Sequence, residues 1–215
     1  MKAIIKFGVL SVTIFFFACE PPVTFKEPQP ADAKNLTSIP RRLQGTYFSA
    51  LDSSLIRIDA KTICRLYDAN SMHQNDSDAI NISVKGDTSF GFSIGSEVKS
   101  LSMSILEEGG RMSEYFADTI FMIDQDHLLR KWRGYYFLNT RFDQDSWEVR
   151  RLSLKKGELS IGEISQEEEI KSLIAIAESY QDTLAPYRLE LSKKQFKQYN
   201  KGQAFLRNET FVKLK

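Results

Sequence analysis

Apolar and small polar residues alternate strictly in Ile80-Asn81-Ile82-Ser83-Val84 and again in Leu101-Ser102-Met103-Ser104-Ile105. A period of two places every apolar side chain on one face of an extended chain, so each segment reads as a strand with one face on a core and the other in water. Gly109-Gly110 after the second segment predicts a hairpin turn, with Tyr115 to Ile123, rich in aromatic and β-branched residues, as the return strand. Leu128 to Asn139 continues the meander through Trp132, Gly134, Tyr135, Tyr136 and Phe137. Trp147 and Val149 share one face while Leu152 and Leu154 fall on the other, and a bulge near Arg150 and Arg151 would turn all four inward. Lys155-Lys156-Gly157-Glu158 then turns the chain into Leu159-Ser160-Ile161.

Helical spacing enters only near the end. Ser165 with Glu168 fits a capping box, and Ile170, Leu173, Ile174 and Ala177 recur at helical intervals, which predicts an amphipathic helix from 166 to about 180 that stops before Pro186. Tyr187-Arg188-Leu189-Glu190-Leu191 alternates as a strand. Ser192 with Gln195 opens a second capped helix over Phe196 and Tyr199 that Gly202 can end, and Phe205 to Leu214 closes as a strand. The expected fold is mainly β: an antiparallel meander over 41–165 forming a barrel or sandwich, followed by a helix-strand-helix-strand element over 166–215, in one domain.

The N-terminus has a different character. Lys2 and Lys6 precede an uncharged apolar run from Phe7 to Ala18. A charged start and a short apolar stretch form an export signal, and this run of about twelve residues falls short of the ~20 needed to span a bilayer as a helix. Phe15-Phe16-Phe17-Ala18-Cys19 resembles the lipobox of bacterial lipoproteins, in which a small residue precedes a cysteine that receives a diacylglyceryl group; phenylalanine stands where leucine is commonest in that family. The resemblance implies cleavage between Ala18 and Cys19, so that 1–18 is a signal peptide and Cys19 the acylated first residue of the mature chain. Two or three acyl chains, at ~0.8 kcal/mol per buried methylene, anchor a protein without a polybasic patch.

Acylation of Cys19 leaves Cys64 as the one remaining cysteine, so no internal disulfide forms, and its apolar setting Ile63-Cys64-Arg65-Leu66 reads as a buried, inert thiol. Pro21, Pro22, Pro28, Pro30 and Pro40 crowd the twenty-one residues after Cys19. Proline resists helix and central strand, so residues 19–40 read as a tether that reaches about 60 Å at ~3.1 Å per residue, with Val23 and Phe25 as docking contacts. For Leu36 to Pro40 a coil packed along the domain is the competing reading.

Charge then narrows the function. The 29 Lys+Arg stand against 28 Asp+Glu, leaving no basic excess to displace counterions from a phosphate backbone, which sets nucleic acid aside as a partner. No H-E-x-x-H, C-x-x-C, G-x-S-x-G or glycine-rich phosphate loop occurs in the chain, so no catalytic residue, metal or cofactor is expected. Asp124-Gln125-Asp126-His127 offers acids beside an imidazole, yet between two strands those aspartates serve a turn. Asp68 to Asp78 is rich in oxygen ligands, but His73 and Ala79 occupy the places where a calcium loop needs glycine and glutamate, so it reads as a polar loop. Glu167-Glu168-Glu169 matches the dipole of a helix's first turn.

Aromatic residues are in surplus for a single core. Tyr47, Trp132, Tyr136 and Trp147 are the candidates to line a cavity for an apolar ligand, and a packed two-layer core is the alternative. Gly45-Thr46-Tyr47 at the head of a meander resembles the opening of lipocalins, which place tryptophan where Tyr47 stands. The expected function is a non-enzymatic binding module, anchored in the bacterial envelope through the lipid on Cys19 at the outer membrane, whose partner is an envelope protein; the alternative is a carrier of a lipid or small apolar ligand.

Overall fold

A computed structural model describes residues 20–68, 81–84, 89–94, 97–108, 111–177, 179–180, 185–202 and 204–214. The expected signal peptide and Ala18–Cys19 cleavage site, the turn expected at Gly109-Gly110 and most of the expected Asp68–Asp78 loop lie outside the described residues.

Two short strands come first, β1 (Val23–Phe25) and β2 (Asn35–Leu36), followed by a single 3-10 turn, Arg41–Leu43. The first meander is β3 (Gly45–Phe48), β4 (Leu55–Ile58) and β5 (Thr62–Asp68). Next run β6 (Asn81–Val84), β7 (Ser89–Ile94), β8 (Glu97–Glu108) and β9 (Arg111–Met122), and β9 returns to pair antiparallel with β5. The second meander is β10 (His127–Trp132), β11 (Tyr135–Asp143), β12 (Ser146–Lys155) and β13 (Glu158–Glu163). Helix α1 (Glu167–Ile176), β14 (Ser179–Tyr180), β15 (Tyr187–Glu190), helix α2 (Lys193–Lys201) and β16 (Arg207–Lys213) complete the order. Strand β16 lies between β13 and β3, antiparallel to both, and so joins the two meanders into one sheet. The protein is mainly antiparallel β, a curled half-barrel carrying two helices.

The curl gives the sheet two apolar sides. On the inner side Tyr47, Ile56, Ile63, Phe121, Leu129, Tyr136, Leu138, Leu152 and Phe211 form one core, plugged by Ile39 and Leu43 from the segment before β3. On the outer side Leu173 of α1 and Phe196 and Tyr199 of α2 pack with Val23, Phe25, Phe137, Val149 and Phe205. Neighbouring residues therefore serve opposite layers: Tyr136 and Leu138 face inward, Phe137 outward.

This double burial corrects the expected bulge at Arg150 and Arg151. The β11–β12 ladder runs in register from Tyr136↔Leu152 to Arg141↔Trp147, and its irregularity falls at Arg141–Asp143. Val149 belongs to the outer core and Leu152 to the inner one, so no bulge is needed to bury both parities.

A second correction concerns the tether. Residues 20–40 are part of the fold: β1 is buried throughout, runs parallel to β15 and sets Phe25 opposite Trp147 on β12. The Tyr187 amide donates to the Pro22 carbonyl at 2.9 Å and the Lys26 amide to the Leu189 carbonyl at 2.9 Å. Proline lacks a donor but keeps its acceptor, and side chains remote in sequence use it. Arg130 donates to the carbonyls of Pro28 and Pro30 and, at 2.8 Å, to Asn35. The buried Asn139 amide accepts from the Gln29 amide at 2.5 Å and donates to the Gln29 carbonyl at 3.0 Å and the Leu128 carbonyl at 3.1 Å. For the end of this stretch, the packed coil is the arrangement found: Ile39 is buried and its amide bonds the Ala60 carbonyl at 2.7 Å.

The helices differ in how their starts were encoded. Ser192 and Gln195 form the expected capping box, and the Gly202 amide closes α2 on the Tyr199 carbonyl. Helix α1 is capped by Gln166 with no side-chain bond, so the Ser165–Glu168 box does not form, and the helix ends at Ile176, before β14 pairs with β15. Cys64 is half-buried, its sulfur 3.6 Å from the Thr119 hydroxyl.

Candidate functional site

The four aromatic residues singled out as cavity lining are divided: Tyr47 and Tyr136 share the inner core, Trp132 packs on the outer side, and Trp147 belongs to neither cluster. Tyr47 is fully buried in the inner core, where its hydroxyl donates to the Leu43 carbonyl at 2.7 Å and burial raises its pKa. Tyr136 shares that core, with the Arg42 guanidinium 5.2 Å from its ring centre and bonded to its hydroxyl at 3.0 Å. Trp132 lies on the outer side, tilted on Phe196 at 6.2 Å. Trp147 sits beneath the Arg141 guanidinium, 4.3 Å from its ring centre. Much of the described aromatic content goes into the two cores, and in the outer one Phe196 contacts the rings of Phe25, Trp132, Phe137 and Tyr199.

The Asp124–His127 tetrapeptide is a turn. The Asp124 carboxylate accepts from the Asp126 amide and contacts His127 Nδ1, both at 2.8 Å, while Arg141 holds Asp126 at 2.7 Å. Burial opposes ionisation of Asp124, but the hydrogen bonds from His127 and Asp126 outweigh it and keep the carboxyl below its ordinary pKa.

A different cluster emerges from following the alternation along the inner face. Beyond Leu152 on β12 the same face carries Arg150 and Glu148; beyond Leu138 on β11, Thr140; beyond Ile63 on β5, Arg65; and beyond Phe211 on β16, Glu209. The inner side thus changes from apolar to charged toward one end. Arg65 pairs with Glu209, lies 3.9 Å from Asp52 in the β3–β4 turn, and spreads its guanidinium 5.6 Å from the Phe211 ring centre. Burial lowers the Arg65 pKa, and the hydrogen bond and charge of Glu209 more than restore it. Arg150 donates to the Ile120 carbonyl at 2.9 Å, and its Nε stands 3.8 Å from Glu148.

Three atoms at this end, Arg65 Nε, Arg150 Nε and Thr140 Oγ1, are shielded from solvent and have no hydrogen-bond partner among the described residues. An unmet buried donor costs ~1–3 kcal/mol, so groups of this kind favour an incoming acceptor such as a carboxylate, a phosphate or water. No group of three or more His, Cys, Asp or Glu side chains is placed to hold a metal among the described residues.

Composition does not point to these residues; parity does, because Arg65 stands two places after the buried Ile63 and Arg150 two before the buried Leu152. Glu169 stands in the first turn of α1 as expected, and the fold gives it a second task. It is buried, accepting from the Tyr199 hydroxyl at 2.5 Å and from the Phe205 and Leu206 amides. Burial, joined by the hydrogen bond and charge of Glu169, pushes the Tyr199 phenol far above its ordinary pKa. That network ties α1, α2 and the entry to β16 together and is structural.

Neither a known protein family nor a curated protein matches this chain, and no solved structure matches its fold.

Proposed function

We propose that this protein is a lipid-anchored, non-enzymatic binding module of the bacterial envelope, attached through Cys19 and engaging an envelope partner with the charged end of its half-barrel. Support for the anchor comes from the sequence, in which a charged start, a short apolar run, Ala18 and Cys19 stand in order. The single observation that carries the binding end is the concentration there of shielded donors without partners, Arg65 Nε and Arg150 Nε. Next to it the β3–β4 turn presents Leu51, 92% exposed, beside Asp52. Among the described residues Tyr47 and Tyr136 pack inside the inner core and Trp132 against the outer one, so their number alone does not favour a carrier.

The test is cross-linking in the intact envelope with a photoreactive residue at Leu51, against a control at Glu158. A discrete adduct from position 51 alone is expected; equal, diffuse labelling at both positions overturns the assignment of the binding end. Native against denaturing mass spectrometry of the full chain, gently extracted, separates the carrier reading, which needs an extra mass in the native spectrum alone. Replacing Cys19 by serine is expected to release the protein from the membrane fraction, and retention there would contradict the anchor.

A further inference from the structure

The anchor and the fold are separated by very little chain. If residues 19–40 were a free tether the domain would stand about 60 Å from its lipid at ~3.1 Å per residue. Instead the first fixed backbone atom is the Pro22 carbonyl, held by the Tyr187 amide at 2.9 Å, and Val23 and Thr24 are already buried in the sheet. From Cys19 to Pro22 there are three steps of chain, which span at most about 11 Å at ~3.6 Å per residue. The polar layer of a bilayer leaflet is itself about 5–8 Å thick. A thioether-linked glycerol at the base of that layer therefore leaves no room for water-filled distance between headgroups and protein.

Resting on the reading of Cys19 as the acylated residue, we infer that the domain rides directly on the bilayer, with the rim of the half-barrel at Glu148, Glu163 and Arg207 against the lipid headgroups. These three residues share a cleft of about 280 Å³ with Glu20, Pro21 and Pro22, so they are the part of the sheet nearest to the anchor. Glu148 and Arg207 lie at the charged end of the inner face, whereas the β12–β13 turn at Lys156–Gly157 lies at the opposite end of β13. Arg207, whose side chain is 64% exposed, is the one cation of that cleft beside the carboxylates of Glu20, Glu148 and Glu163, so the short chain from Cys19 and not charge attraction sets this face on the headgroups. The charged end consequently opens beside the membrane, and a partner that reaches it approaches along the lipid surface.

The experiment uses the full acylated chain with Cys64→Ser, reconstituted in vesicles of equal phosphatidylethanolamine and phosphatidylglycerol carrying a headgroup nitroxide. A fluorophore is placed on Arg207→Cys or, in a second protein, on Glu158→Cys, which begins β13 some 17 Å away at ~3.3 Å per residue. Loss of most fluorescence at 207 with little loss at 158 is expected, and an insert of about twenty Gly/Ser residues after Glu20, adding roughly 25 Å of root-mean-square reach, should abolish the difference. Mass spectrometry of the N-terminal peptide is read on the same samples. An acylated Cys19 with equal quenching at the two sites overturns the inference and leaves the anchor standing; an unmodified Cys19 removes both.

Discussion

The two sides of the half-barrel are built from the same strands by different means. The inner core is made by strand side chains two residues apart, and it gives way to charged residues at one end. The outer core draws on β1, β12, β15, both helices and the entry to β16, segments scattered from Val23 to Phe205. The inner face is thus built mainly by alternation and plugged by Ile39 and Leu43, while the opposite face also needs two helices and strands that arrive from far along the chain. Stability of the outer side depends on long-range contacts, and polar chemistry collects on the inner side, where the curl leaves an end uncovered.

The comparison breaks most visibly at Phe196. Truncation to alanine removes a ring packed against four others and is expected to cost about 3–5 kcal/mol in urea unfolding, with the helices lost before the inner core. Hydrogen exchange that reports both layers opening together would show instead that they form one cooperative unit. Asn139→Ala leaves the Gln29 amide and carbonyl unmet and should cost about 2–3 kcal/mol, with faster proteolysis near Lys26; an unchanged cleavage rate would mean that Arg130 alone secures the segment.

Smaller effects belong to the charged end. Arg65→Met alone strands Glu209 and is expected to destabilise by about 1–3 kcal/mol, whereas adding Glu209→Leu should recover most of that loss, because a partly buried pair is close to neutral against apolar residues of similar size. A double-mutant cycle on unfolding midpoints measures the coupling. The acid limb is smaller still. Burial opposes ionisation at Asp52, Asp124 and Asp143, yet their hydrogen bonds hold all three carboxyls below the ordinary value. Each therefore adds stability that is present above about pH 4, the unfolded carboxyl range, and is lost as the pH falls through the lower folded value. Asp124→Asn should flatten that limb slightly in a titration of unfolding midpoint, and an unchanged limb would assign it to other acids.

What the sequence made legible follows the range of the interactions. Alternation in Ile80–Val84 and Leu101–Ile105 and the Ser192–Gln195 cap are local signals, and Asn81–Val84 forms β6, Leu101–Ile105 lies within β8 and Ser192 caps α2. Val23 and Phe25 stood out in the sequence as docking contacts but not as a strand, because the prolines on either side argue locally for extended coil, while the groups that fix the segment, Asn139, Arg130 and β15, lie more than a hundred residues away. Ser165 matched a cap pattern that Gln166 occupies, since one residue of offset at a helix start leaves the spacing almost unchanged. At the charged end, Arg65 and Arg150 were visible as letters, but only the double-sided burial of β12 reveals that their parity turns them inward.

The position of β16 bears on how such a chain is completed in time. Lys213 pairs with Tyr47 and Glu158 with Val212, so the strand that seals both meanders is the last in chain order. Until it is delivered, β3 and β13 each keep a bare edge, and the earlier strands cannot close into the curled sheet. Contacts of such long sequence separation form slowly, so the two meanders fold as separate, open-edged sheets until β16 docks between them and makes their union the late step.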